Sequence, residues 1–164
     1  MDLRPLVEVP YSNKHPESMK WRANIDMIAR QLECMARSSD TWKGRISRKF
    51  WEYVNPRTMN SIRDIYDCVR KYGMLPYSLE ASMTSPSTRI AARPYRLIVI
   101  KQIARNTNII MSCIASQCPI AISLALYGNQ PMSVYEPPSS NEPLTMVIPA
   151  LIIGYDAKRD ICIV

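Results

Sequence analysis

His15 is the sole histidine of the chain, and it bears on more chemistry than any other residue. A serine or cysteine nucleophile activated by imidazole, or a metal site built from several imidazoles, must use His15 or be abandoned. It lies in Tyr11-Ser12-Asn13-Lys14-His15-Pro16-Glu17, a polar, proline-containing stretch that reads as a surface loop with no cysteine in local reach. A general-base role for it is not expected. Cysteine nucleophiles need a helix N-terminus or a neighbouring cation to lower the thiol pKa, and none of the five cysteines is so placed. Cys34 falls late in a helix, Cys68 in mid-helix, Cys113 in an apolar helix and Cys162 in the final strand. Cys118, before Pro119, alone has a loop-like context. The odd number and the apolar surroundings read as free thiols in a reducing compartment rather than a disulfide framework. Cys113 and Cys118 are the only close pair, and without a second pair or histidines they do not make a zinc site. Four glycines, at 44, 73, 128 and 154, cannot form a phosphate-cradling loop. No metal and no cofactor is therefore expected. Asp64 and Asp67 share a helix at a spacing that suits capping and solvation, while an acid dyad assembled by the fold stays open.

The charge balance points to acidic partners. Lys and Arg number 21 against 14 Asp and Glu, a net +7, which favours nucleic acid, anionic surfaces or an acidic protein without choosing among them. The densest basic run holds Lys43, Arg45, Arg48 and Lys49, followed by Phe50 and Trp51. It reads either as a solvated loop entering a helix or as a phosphate-contacting patch with stacking aromatics.

The elements that must position these groups are legible as periods. Trp21, Ile25, Ile28, Leu32 and Met35 recur every three to four residues, which predicts a buried helix over 19–37. A second helix is predicted from Asn60 or Ser61, with Asp64 completing a capping box and Gly73 ending it. Residues 80–94, rich in Ser, Thr and Pro, read as an exposed connection between two halves. Tyr95 to Lys101 is a β-branched run, 106–117 a short helix and 120–127 a strand with Ile120, Ile122, Leu124 and Leu126 on one face. After a Pro-rich loop over 128–143, a strand over 146–154 and the terminal segment 161–164 read as a hairpin. The expectation is one α+β domain over 1–164, with a mainly helical lobe over 11–79 and a mainly β lobe over 95–164. Trp21, Trp42 and Trp51 read as core anchors. No run approaches the roughly 20 apolar residues of a membrane span, and acids at Asp2 and Glu8 argue against a secretory signal.

The order of these segments resembles the papain-like cysteine peptidase family, in particular its compact members in bacteria and large DNA viruses. The residues that carry the resemblance are Met1-Asp2-Leu3-Arg4-Pro5, the run from Ser47 to Tyr53, and the helix from Ile62 with its exit Tyr72-Gly73-Met74-Leu75-Pro76. Further on they are the run from Met111 to Ile120 and Ala150-Leu151-Ile152-Ile153-Gly154-Tyr155-Asp156. The resemblance implies a papain-like two-lobe domain. It also places the family's nucleophilic cysteine at Met19, its oxyanion glutamine at Asn13 and its histidine at Ile148, and its Asn-Ser-Trp-Gly segment beyond Val164, which reads as a C-terminal truncation. Since a thioether and an aliphatic side chain perform neither attack nor proton transfer, the expectation is a catalytically inactive member, not an enzyme.

What remains is binding. The expected role is structural or scaffolding, in an assembly of other protein subunits such as a minor capsid or virion component of a large DNA virus. An alternative is a regulatory pseudoprotease holding a peptide or a peptidase in the old cleft, and a second is a basic protein binding nucleic acid or an anionic surface. No small-molecule substrate is expected. The last strand, with Ile161, Ile163 and Val164, is expected to pair or pack against a neighbouring chain, because a bare strand edge invites one. The location is expected to be cytoplasmic or virion-associated and not secreted.

Overall fold

The computed structural model describes residues 20–40, 42–55, 61–83, 85, 87–93, 95, 100–127 and 141–164. Helix α1, Lys20–Ser38, is the spine. Its apolar stripe buries Ile25, Ile28 and Leu32, while Asp26 and Arg30 form an ion pair one turn apart at 2.8 Å. Next comes α2, Arg48–Val54, started by Ser47, whose hydroxyl accepts from the Phe50 amide and so satisfies one of the free N–H groups of the first turn. This short helix brings Phe50 and Trp51 wholly into the core, each contributing about 2–3 kcal/mol of apolar burial.

The predicted capping box is present in α3, Ile62–Tyr72. The Ser61 hydroxyl accepts from the Asp64 amide, and the Asp64 carboxylate accepts from the Ser61 amide. Ile65, Cys68 and Val69 point into the core. Gly73 ends the helix at φ 84°, where a side chain would be strained, and its carbonyl accepts from the Trp51 indole at 2.9 Å. The chain then turns back so that Ser47 N–H meets the Leu75 carbonyl and Ile46 bridges to Pro76.

The stretch read as an exposed connection holds short helical turns, and of its described residues only Thr88 and Ala92 are buried. A 3-10 turn spans Tyr77–Ser82, and α4, Ser87–Ala92, buries Thr88 and Ala92. Thr88 donates to the Ser82 carbonyl, which ties the two turns together. Helices this short leave no 3.6-residue period to read. Of the β-branched run 95–101, residues 96–99 lie outside the described ones, and Tyr95, Ile100 and Lys101 are in neither helix nor strand.

Helix α5, Thr107–Ala115, is capped by the Asn106 side chain, which accepts from the Asn108 and Ile109 amides. It leads into β1, Ile120–Tyr127, which pairs antiparallel with β2, Leu144–Ile152, from Ile120 opposite Ile152 to Tyr127 opposite Leu144. A second ladder joins β3, Gly154–Asp156, to β4, Ile161–Ile163. The strand expected over 146–154 is thus broken at Ile153, and its two parts take different partners. β2 pairs with β1, and only the last residues form the hairpin with the terminal strand. The ribbon β1–β2 rests on α1 through its lower end, where Leu151 and Ile152 join the core. The result is an α+β arrangement, helices first and antiparallel sheet second, around one core.

Candidate functional site

Of the positions that the family resemblance picks out, Asn13 and Met19 lie outside the described residues. Ile148 stands in β2 opposite Leu124, half-buried. His15 is also outside the described residues.

The thiols are described in full, and all five are free. Cys34 and Cys68 are buried, Cys113 and Cys118 half-buried, and Cys162 exposed. Burial pushes the Cys68 thiol up to about 12, the opposing influence of Lys71 being smaller. Burial also raises Cys34, Cys118 and Cys162, with help from Cys118, Cys113 and Asp160 respectively. Among the described residues no group of three His, Cys, Asp or Glu could hold a metal ion. No helix among them is long and apolar enough to cross a membrane.

The basic run divides by role. Arg48 is a clamp inside the fold: it meets Asp26 at 2.9 Å and Glu33 at 2.9 Å and donates to the Ile46 carbonyl. Glu33, nearly buried, also accepts from the Ile46 amide at 2.7 Å, so the loop before α2 is laced to α1. Burial disfavours the charged Asp26, but the hydrogen bonds and charges of Arg30 and Arg48 outweigh it and hold the carboxyl below its ordinary range. Lys43 pairs with Asp40 at 2.9 Å and Lys49 with Glu80 at 3.2 Å, both lysines well exposed. Arg45 is exposed, and its carbonyl accepts from the Tyr77 amide. Three of the four cations therefore already face a carboxylate, which lowers the field that this run offers to a phosphate backbone.

An apolar cavity of about 100 Å³ lies between α1 and the turn at 74–76, with Trp42, Ile46 and Met74 in its wall. It is well below the several hundred Å³ of a typical ligand pocket. It holds an apolar side chain at most.

The surface that sequence reasoning missed is the outer end of the β1–β2 ribbon. Leu144 is 54 % exposed, and Met146 and Val147 are each 50 % exposed. Alternation places Val147 on the opposite face from Met146, so this end offers apolar groups on both sides. Neither β1 nor β2 has a second partner strand among the described residues, and a two-stranded ribbon is marginal alone. Pro149 fits such an edge strand because it has no N–H to donate. The terminal strand is similar on a smaller scale. Ile161 and Ile163 are half-buried, Val164 is 59 % exposed, and β4 pairs only with β3 among the described residues. A strand over 146–154 was legible in the sequence, but a strand pattern does not reveal that the core stops short of half its length.

No protein-family model matches the chain, and no curated protein does. Among solved structures it is similar to the crystal structure of xylellain, a cysteine protease from Xylella fastidiosa, with a TM-score of 0.71 and 18 % identity. The match covers 96 % of this chain and 69 % of that one. The fold is papain-like. The expectation that the chain is not an enzyme is corrected by this finding, because a protein of the same fold is a cysteine protease. That expectation rested on the aligned residues Asn13, Met19 and Ile148 and on the lack of any histidine beyond His15, and at 18 % identity the likeness fixes the fold and not the register of individual residues.

Proposed function

We propose that this papain-like protein works by binding other protein subunits, in a structural or scaffolding role, with the β1–β2 ribbon as the docking element. The observation that carries the reading is the exposure of Leu144, Met146 and Val147 on an edge strand. The occupant that fits is an extended segment of a partner subunit, which adds a strand through main-chain hydrogen bonds and covers the apolar side chains. A net charge of +7 favours a partner segment that is acidic. Crosslinking mass spectrometry on the assembly purified from its source is expected to place partner crosslinks on 141–149. The double variant Met146→Lys/Val147→Lys is expected to lose the assembly without a change in melting temperature. A monomer without such crosslinks, or a variant that keeps its partner, overturns the reading.

A second reading is favoured by the likeness to a cysteine protease. It is peptide hydrolysis by a cysteine, with His15, the only imidazole of the chain, as general base. Turnover of a fluorogenic peptide library that is stopped by thiol alkylation and by His15→Ala supports it. Turnover unchanged by either treatment, or none at all, removes it.

A further inference from the structure

Helix α5 ends in a cap that brings two cysteines together. The Cys118 amide donates to the Cys113 carbonyl at 3.0 Å and the Gln117 amide to the Ile114 carbonyl at 3.0 Å. Gln117 has φ 58°. A six-to-one and a five-to-two hydrogen bond around one left-handed residue define the Schellman cap, in which the side chains of the first and sixth positions meet. Those positions ordinarily carry a hydrophobic pair, and here both are cysteine. The backbone hydrogen bond from Cys118 to Cys113 keeps the two residues adjacent across the cap, and a disulfide needs Cα atoms about 4.4–6.8 Å apart. Both thiols are half-buried, so a small reagent reaches them, whereas Cys34 and Cys68 are buried. The Cys118 sulfur rests 3.9 Å from the Met35 sulfur in the reduced form. Bridging to Cys113 requires the Cys118 thiol to turn away from Met35 of α1.

We propose that Cys113 and Cys118 form a reversible dithiol–disulfide couple across the end of α5. The oxidant is a low-molecular-weight disulfide such as oxidised glutathione. One thiolate attacks it, forms a mixed disulfide and expels one small thiolate. The second cysteine attacks the protein sulfur of that mixed disulfide, expels the other small thiolate and closes the ring. The two cysteines lose two protons and two electrons, and the small disulfide becomes two thiols. The ring sits where it matters mechanically. Pro119 follows Cys118, its carbonyl takes the Gln31 amide at 2.6 Å, and Tyr66 donates to the same Gln31 side chain. Oxidation therefore stiffens the junction between α1, α3 and the start of β1.

The test is equilibration of the full chain in glutathione redox buffers, followed by acid quench, trypsin and mass spectrometry. Cys113 and Cys118 share one tryptic peptide, 106–158, while Cys34 lies in another, 31–37. The expected result is loss of two hydrogens within 106–158 without a glutathione adduct on that peptide, whatever the exposed Cys162 takes up, and full reversal by dithiothreitol. Cys113→Ser and Cys118→Ser are each expected to replace the loss by a glutathione adduct on the remaining thiol. A crosslink between 31–37 and 106–158, mixed disulfides alone in the unaltered chain, or five free thiols throughout would each overturn the proposal.

Discussion

Gly73 and Arg48 show how much of this fold hangs on single positions. At Gly73 a Cβ would lie 2.0 Å from the Ala92 carbonyl oxygen, and the backbone is at φ 84°. Both obstacles are backbone, so neither can move aside cheaply. Gly73→Ala is expected to cost about 2–3 kcal/mol, read as a lower urea midpoint at unchanged slope. Gly44 makes the useful contrast. A Cβ there meets the Trp42 ring at 2.5 Å, but Trp42 borders the 100 Å³ cavity and has room to shift. Gly44→Ala is expected to cost clearly less, and equal costs would show that the cavity does not accommodate the ring. Arg48 is the other case. Removing one partner of a buried ion pair leaves an unmatched charge, commonly at a cost of several kcal/mol, and the Arg48 side chain is 27 % exposed against 8 % for Glu33. Discounted for that exposure, Arg48→Met is expected to cost about 2 kcal/mol, measured by the same urea titration.

At the scale of elements, what the sequence reveals depends on whether the cause is local. The capping box of α3 is local: Ser61 and Asp64 are three apart, and their exchange of hydrogen bonds is what the spacing predicts. Ser61→Ala is expected to lower stability by about 1 kcal/mol, and Ser61→Asp to restore most of it in a chemical melt. The α1 stripe through Ile25, Ile28 and Leu32 and the alternation along 120–127 were legible for the same reason. The α4 segment was not, because six residues give too little period and its burial of Thr88 and Ala92 is decided by the rest of the chain. Nor was the break at Ile153. The run from Val147 to Ile153 is apolar without interruption, and only the distant Ile163 carbonyl, accepting from the Ile153 amide at 2.9 Å, turns the backbone toward β4. The candidate surface at Leu144, Met146 and Val147 escaped for a related reason. Apolar strand residues look alike in sequence whether or not a core reaches them. The cap of α5 lay between these extremes: the Cys113 and Cys118 spacing was visible, but the left-handed Gln117 that joins them was not.

For the whole molecule, the groups that titrate inside the fold set how stability varies with pH. On the acid side the folded state holds Asp26 below its ordinary value of 3.8 through Arg30 and Arg48. A depressed carboxyl contributes stability above its unfolded pKa and loses it as pH falls through the folded one, so stability drops below about pH 4. On the alkaline side Cys68 is raised from 9.0 to about 12 and Tyr66 from 10.0 to about 12, chiefly by burial. An acid whose folded pKa is raised contributes stability below its unfolded pKa and loses it as pH climbs toward the folded one, here between about 9 and 12. The stability curve is expected to be a plateau with two shoulders. Urea midpoints measured from pH 3 to 11 check it, and two variants separate the arms. Cys68→Ala removes a thiol that must stay protonated in the core, so it lowers the plateau through the lost packing but flattens the alkaline fall. Arg48→Met instead weakens what keeps Asp26 ionised, raises that carboxyl toward its unfolded value and softens the acid shoulder. Parallel shifts of the whole curve in both variants would mean that neither group titrates as its surroundings in the fold require.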